Sequence, residues 1–211
     1  MSDPLSLRDR GAARAASFFC TQSDWHVDAV YSAQKKRRRT NLSVPKSNEA
    51  KMRRRSLSKC YEYTADVIRQ QMAEFDMQES LIQPYAGGHS INWLLGHIVS
   101  ARSFPLRLLG QDEVWDEETR ARYRNGSKPI GAGCPGVLHI DELKSLFESS
   151  QNRLIAGLDA MTNDRLDKPS GYQTNTVSES LLYFHFHETY HVGQLTIIAE
   201  LLGKRAKYLR L

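Results

Sequence analysis

The sequence predicts an all-α protein whose folded part is a four-helix bundle. Three observations support this class. Four segments carry apolar residues at helical spacing, none shows the alternation of a β-strand, and turn-forming residues separate them. Four helices of about 20–26 residues, each with one apolar stripe, are typical of a four-helix bundle.

The first two predicted helices lie on either side of a break at 84–90. The first begins at about Leu57, and its apolar residues recur at steps of three and four: Tyr61, Ala65, Ile68, Met72 and Phe75. The second covers 91–110, where Pro105 is expected to kink the helix and Gly110 to end it.

A long connection at 111–139, rich in glycine, proline and charge, separates the second helix from the third. A short helical turn is expected within it at 116–123. The third helix covers 141–161, with these residues pointing inward: Leu143, Leu146, Phe147, Leu154 and Leu158. A connection of this length can cross the bundle, which allows the second and third helices to run parallel.

The fourth predicted helix has recognisable signals at both ends. Thr176 and Glu179 have the spacing of a capping box, in which each side chain accepts a hydrogen bond from the other residue's backbone. The helix is expected to run to Leu202 and to stop at Gly203.

The positive charge is concentrated at the start of the chain. Residues 1–59 hold 14 Lys/Arg and 5 Asp/Glu, a net of +9, whereas residues 60–211 hold 15 and 19, a net of −4. Because residues 1–55 also lack an apolar period, we predict a basic, disordered extension at 1–55 and a folded domain at 56–211. The basic runs leave open nucleic-acid binding through the extension alone, and a natural start at Met52.

Composition also limits the cellular compartments in which the protein is expected. No run of about 18 apolar residues is present, and the N-terminus lacks the apolar stretch of roughly 7–15 residues found in secretory signals. Cys20, Cys60 and Cys134 are far apart and form no C-x-x-C pair, which favours a reducing compartment over a disulfide framework. We therefore predict a cytoplasmic protein with no membrane partner.

The fourth helix carries two histidines four residues apart, in the segment HETYHVGQ at 187–194. Four residues make about 400° of turn, so the rings of His187 and His191 point the same way on an apolar stripe. Unpartnered imidazoles in a core would each cost about 1–3 kcal/mol. His97 on the second helix also lies among apolar residues. Three imidazoles from two helices leave an open position, as in a catalytic metal site.

The same letters spell the H-E-x-x-H of zinc proteases, but the rest of that signature is missing. Only 20 residues follow His191, none of them histidine, and Gln194 stands where the longer signature has glycine. A di-iron bundle would need a second E-x-x-H, which the chain lacks. Glu188 remains a candidate acid–base group, and its direction, to solvent or to a neighbouring helix, is open. Gln194 is a candidate hydrogen-bond partner for a ligand histidine.

The segment SINWLLGHIVSAR, followed about 90 residues later by HETYHVGQ, resembles the DinB/YfiT-like metalloenzyme superfamily over roughly residues 57–204. The resemblance implies an up-down-down-up bundle with a long crossover between helices 2 and 3. It also implies one divalent ion, zinc or nickel, held by His97, His187 and His191. Characterised relatives include S-transferases for low-molecular-weight thiols and thiol-dependent isomerases, and homodimers are common.

We therefore expect a metal-dependent enzyme that acts on a small electrophile, with a thiol S-transferase as the first hypothesis. Two alternatives stay open: a metal-dependent hydrolase of the same fold, and a non-catalytic bundle that binds a metal or another ligand. The expected partners are a small-molecule substrate and a second copy of the chain. The sequence identifies no catalytic residue, and the three histidines are predicted as metal ligands.

Overall fold

The computed structural model describes residues 46–204. Within this range the chain forms six α-helices and no β-strand, which confirms the predicted all-α class. Four helices are long: α1 (Lys46–Met72), α3 (Ile91–Leu108), α5 (Ile140–Ala160) and α6 (Val177–Leu201). The shorter elements are α2 (Met77–Ser80), α4 (Glu117–Tyr123) and a 3₁₀ turn (Asn163–Asp167).

Most of the predicted extension, at 1–45, lies outside the described residues. Its last part, 46–55, forms the first turns of α1, so this helix begins well before Leu57, where the apolar stripe starts. Arg53, in one of the basic runs, donates to Asp167 on the 3₁₀ turn at 2.8 Å. An apolar period cannot reveal these turns because they are polar. The domain boundary at 55/56 stays a prediction.

Local signals set the ends of the helices. Thr176 Oγ1 accepts from the backbone N–H of Glu179 at 3.3 Å, and Glu179 Oε2 accepts from the N–H of Thr176 at 2.8 Å. This is the predicted capping box of α6. Helix α3 continues through Pro105 for three more residues, and Gly110 follows with a φ of 70°, a conformation that favours glycine and ends a helix.

Hydrogen bonds and ion pairs between helices fix the directions in which the long helices run. The pairs are Tyr61–Leu181, Thr64–Glu188 and Gln71–Thr196 for α1 with α6, Arg69–Glu148 and Lys144–Phe75 for α1 with α5, and Asn92–Leu138 and Arg102–Ser150 for α3 with α5 and the residues before it. Both sequence numbers rise together between α1 and α6, so these two helices are parallel. By the same reasoning α5 runs opposite to α1, and α3 runs with α5.

The core has two hydrophobic clusters at different levels of the bundle. The predicted α1 stripe is buried throughout and contributes to both, with Tyr61 in one cluster and Ala65 in the other. In each long helix a polar residue lies between the two levels: Thr64, Arg102, Ser150 and Glu188. We call these four residues the polar belt. None of the helices between residues 46 and 204 is long and apolar enough to cross a membrane.

The crossover between α3 and α5 is anchored by Tyr123, the last residue of α4. Its ring is buried against Gly96, where an added Cβ would lie less than 3.0 Å from three ring atoms. The Tyr123 hydroxyl donates to Asn92 Oδ1 at 3.2 Å and accepts from the backbone N–H of Leu138 at 3.1 Å. The predicted helical turn in the connection thus holds a fixed position on α3, at the level of His97.

Candidate metal site

The three histidines predicted as ligands come together between α3 and α6. His187 Nε2 lies 3.4 Å from His97 Nε2 and 3.2 Å from His191 Nε2. One ring nitrogen from each residue lies within 4.8 Å of the others, an arrangement that could hold a metal ion. His97 and His191 are buried and His187 is half-buried.

The ring of His97 is held from two sides. Its Nδ1 lies 2.8 Å from the backbone carbonyl of Tyr123, which can only accept, so Nδ1 carries the proton and Nε2 presents a lone pair to the cluster. Trp93, one turn earlier on α3, stacks on the ring with centroids 4.6 Å apart and planes 7° apart. The indole N–H of Trp93 donates to Ser127 Oγ at 2.9 Å, which fixes the indole in turn.

The ring of His191 is oriented by Gln194, one turn later on α6. His191 Nδ1 donates to Gln194 Oε1 at 2.7 Å, the hydrogen bond that the sequence suggested. Gln194 Nε2 donates to the hydroxyl of Tyr190 at 3.4 Å. His191 Nε2 therefore also presents a lone pair to the cluster.

His187 cannot donate a hydrogen bond to both His97 and His191. If its Nε2 is protonated, the single N–H can serve His97 or His191 but not both. If Nδ1 is protonated instead, that proton has no acceptor among residues 46–204. In either tautomer the cluster keeps at least one buried polar atom without a partner, a condition that costs about 1–3 kcal/mol.

Burial keeps all three imidazoles neutral. It lowers the pKa of His97 to about 4, although the hydrogen bond to the Tyr123 carbonyl opposes this shift. It lowers the pKa of His191 to about 2, with the neighbouring histidines adding to the effect, and it also lowers the pKa of His187. Neutral imidazoles with converging lone pairs are the form that binds divalent metals.

The remaining histidines of the described part lie outside the cluster. His89 stacks on the far face of Trp93, with ring centroids 3.5 Å apart. His185 contacts the edge of Tyr61, and His139 accepts from the backbone N–H of Asp141 at the start of α5. His26 lies outside the described residues.

Glu188 turns away from the histidines into the polar belt, which settles the direction that the sequence left open. Its carboxylate accepts from Arg102 Nε and Nη2, both at 2.8 Å, and from the Thr64 hydroxyl at 2.8 Å. Arg102 Nη1 donates to Ser150 Oγ at 2.9 Å. Glu188 therefore faces neighbouring helices rather than solvent. Its ion pair with Arg102 joins α6 to α3, and the hydrogen bonds of Thr64 and Ser150 connect this pair to α1 and α5.

Sequence reasoning missed two groups around the cluster. Arg102 follows Leu94 and Ile98 at four-residue steps, so a cation on this inward stripe was a usable sign that a buried anion lies opposite. The Tyr123 carbonyl left no such sign, because every residue has one and only the folded crossover brings this one to His97.

Comparisons with known proteins agree with this fold. A crystal structure of a conserved protein from Enterococcus faecalis superposes with a TM-score of 0.56 at 17% sequence identity, covering 71% of this chain and 97% of that one. At this identity the likeness shows a shared fold alone. No curated protein matches the chain. The family model of the DinB superfamily matches residues 61–195, which include both histidine-bearing helices and well over half of the sequence, so the chain belongs to the DinB superfamily.

Proposed function

We propose that the protein is a metal-dependent enzyme whose divalent ion is held by His97, His187 and His191 and whose substrate is a small electrophile. The first form of this proposal is an S-transferase that uses a low-molecular-weight thiol. The observation that carries the metal site is the convergence of three Nε2 atoms, two of which have their lone pairs directed inward by hydrogen bonds at Nδ1.

The spacing of the histidine nitrogens supports a divalent ion of the size of zinc. Zinc binds histidine nitrogen at about 2.0–2.1 Å, and two ligands at the tetrahedral angle would then lie about 3.3 Å apart. The two distances between facing nitrogens, 3.4 and 3.2 Å, agree with that value. An ion would also use the lone pairs that no proton satisfies in the metal-free cluster.

The ligand set supports zinc or nickel as the native ion. Neutral imidazoles suit both metals, whereas magnesium and calcium prefer oxygen. Three protein ligands leave at least one position free for water or substrate. Such an ion supplies Lewis acidity and lowers the pKa of a bound water or thiol.

Neighbouring residues orient the histidine ligands. Tyr123 and Gln194 hold the tautomers of His97 and His191 through Nδ1, which keeps both Nε2 atoms as acceptors. Trp93 covers His97 and limits access from the α3 side. In this proposal the protein works in the cytoplasm, because its widely separated cysteines suit a reducing compartment.

The metal is tested by elemental analysis of the full chain purified without a histidine tag. We expect about one divalent ion per chain, and its loss in His97→Ala, the variant that separates this site from a protease H-E-x-x-H. The matched control is His139→Asn, which removes an exposed imidazole but keeps an acceptor at the start of α5. Full occupancy in His97→Ala would exclude the proposed ligand set.

The reaction is tested by assaying the metal-loaded protein on small electrophiles with and without low-molecular-weight thiols. Turnover that requires both thiol and metal supports the S-transferase. Hydrolysis of activated esters or amides without any thiol would replace it with a hydrolase at the same site. Metal binding without either activity would favour a non-catalytic binding bundle.

A further inference from the structure

Four aromatic side chains pack together where α3 meets α6, and we call them the aromatic patch. They are Phe104 on α3, Tyr172 in the connection before α6, and Tyr183 and Phe184 on α6. The rings of Phe104 and Phe184 are stacked with centroids 5.1 Å apart, and the Tyr172 ring lies 5.4 Å from each of them. All four side chains are half-buried, and none belongs to either hydrophobic cluster of the core. Core packing therefore does not explain the patch.

The connection before α6 holds Tyr172 in a fixed position. The backbone N–H of Tyr172 donates to Ser170 Oγ at 3.1 Å, and its carbonyl accepts from the N–H of Asn175 at 3.1 Å. Gln173, the next residue, has a φ of 51° and is the only residue other than glycine with a positive φ between residues 46 and 204. This conformation is unfavourable for a residue with a side chain, and it occurs most often at functional sites. The strained turn directly after Tyr172 thus indicates that the position of its ring matters.

The aromatic patch lies beside the histidine cluster. Phe184 precedes His187 by three residues on α6, and Phe104 follows His97 by seven residues on α3. Each phenylalanine therefore shares a side of its helix with a proposed metal ligand. The separations are about 4.5 and 10.5 Å along the two helix axes. Between His97 and Phe104 the same side of α3 carries the small residues at 100–101, serine and alanine. One small molecule is long enough to contact both the patch and the cluster.

We propose that the aromatic patch is a substrate subsite that binds a flat aromatic group of the electrophile, whose reacting atom then lies at the histidine cluster. Aromatic rings pack against one another in stacked or edge arrangements at about 4.5–7 Å between centroids, a preference that saturated rings lack. The guanidinium of Arg107 lies over the Phe104 ring at 5.6 Å but is paired with Glu113, so an uncharged group is expected. This inference rests on the proposed function and names its substrate class.

Binding is tested on the metal-free full chain in EDTA by ligand-observed NMR titration with two uncharged probes. Benzyl alcohol carries an aromatic ring, and cyclohexylmethanol carries a saturated ring with the same number of carbons. We expect benzyl alcohol to bind roughly three- to tenfold more tightly. Tyr172→Leu and Phe184→Leu should each remove this preference. The matched control Tyr63→Leu, at a 67% exposed tyrosine of α1, should keep it. All three variants should retain the helical circular dichroism of the wild type, because the replaced rings lie outside the core.

Cobalt loading tests whether the aromatic patch adjoins the metal site. Paramagnetic cobalt at the histidine cluster should broaden the resonances of benzyl alcohol, and diamagnetic zinc should not. Tyr172→Leu should lose the broadening with its cobalt content unchanged. Equal binding of the two alcohols, the same preference in Tyr172→Leu as in Tyr63→Leu, or no broadening in the cobalt-loaded wild type would each overturn the subsite. A wild-type chain that takes up no cobalt would instead refute the proposed function, and the titration in EDTA would still decide whether the patch binds aromatic groups.

Discussion

The histidine cluster and the polar belt are neighbouring sets of buried polar side chains, and they differ in whether those side chains have hydrogen-bond partners. Both are buried polar groups between α3 and α6, and His187 and Glu188 are adjacent in sequence. In the belt, Arg102 and Thr64 donate hydrogen bonds to the two carboxylate oxygens of Glu188. The side chains of Arg102 and Glu188 are 2% and 3% exposed. In the cluster, three acceptor nitrogens face one another with at most one proton between them.

The difference shows which of the two regions is complete by itself. A buried ion pair with its hydrogen bonds satisfied needs nothing further and serves to fix how the helices pack. A cluster of converging lone pairs stays unfavourable until a cation joins it. The sequence motif H-E-x-x-H thus contains residues of two separate systems, and its glutamate belongs to the structural one.

The largest effect is expected when the belt is broken on one side. Glu188→Ala leaves the Arg102 guanidinium buried without its anion, so the free energy of unfolding should fall by about 3–5 kcal/mol. Urea denaturation of the metal-free protein measures it. The double change Glu188→Leu with Arg102→Met should recover most of this loss, since it leaves no unpaired charge. Glu188→Ala with unchanged stability but no bound metal would instead assign Glu188 to the metal site.

Acid should destabilise the metal-free protein through the cluster. Unfolded histidines take up protons near pH 6.5, whereas folded His97 does so near its pKa of about 4. Between these values the unfolded state binds more protons, so the free energy of unfolding falls as pH drops from 6.5 to 4. The contribution of His97 is about 3 kcal/mol. Denaturation in EDTA at several pH values measures it, and His97→Ala should show a shallower dependence than the wild type.

Added zinc should stabilise the folded protein through the histidine cluster, and this effect should not depend on the polar belt. With free zinc at 100 times its dissociation constant, the free energy of unfolding should rise by about 2.7 kcal/mol. The double belt variant, Glu188→Leu with Arg102→Met, should show the same rise, because its histidines are untouched. His97→Ala should show none. An equal rise in His97→Ala would mean that zinc binds elsewhere on the chain.

The smallest effect concerns the orientation of a single ring. Gln194→Leu removes the acceptor at His191 Nδ1, and metal affinity should fall 10–100-fold, or about 1.4–2.7 kcal/mol. Competition with a chromophoric chelator measures the affinity. Gln70→Leu, an exposed glutamine on α1, is the matched control. Equal affinities in the two variants would show that Gln194 does not act through His191.

The sequence predicts the local part of this structure well. The buried α1 stripe, the capping box at Thr176 and the inward face of His187 and His191 all follow from spacing within one helix, and spacing is a property of the sequence. The ion pair between Arg102 and Glu188 depends on how α3 and α6 are placed against each other, so neither helix alone reveals it.

The early start of α1 and the exposed apolar residues of α6 were missed for related reasons. Residues 46–55 are helical but polar, so no apolar period marks them. In α6 the opposite holds: apolar residues occur all around the helix, and periodicity alone cannot tell which of them the rest of the chain covers. Only the packed structure shows that Leu182, Phe186 and Ile197 are left exposed.

Gly96 has a consequence for how this site tolerates mutation. The acceptor that orients His97 is a main-chain carbonyl, so no substitution at Tyr123 can delete it, and many side chains there would still supply the oxygen. What cannot vary freely is the space at position 96, because any side chain would push the Tyr123 ring away. In a saturation scan, a residue without a functional group should therefore rank among the most sensitive positions for metal binding.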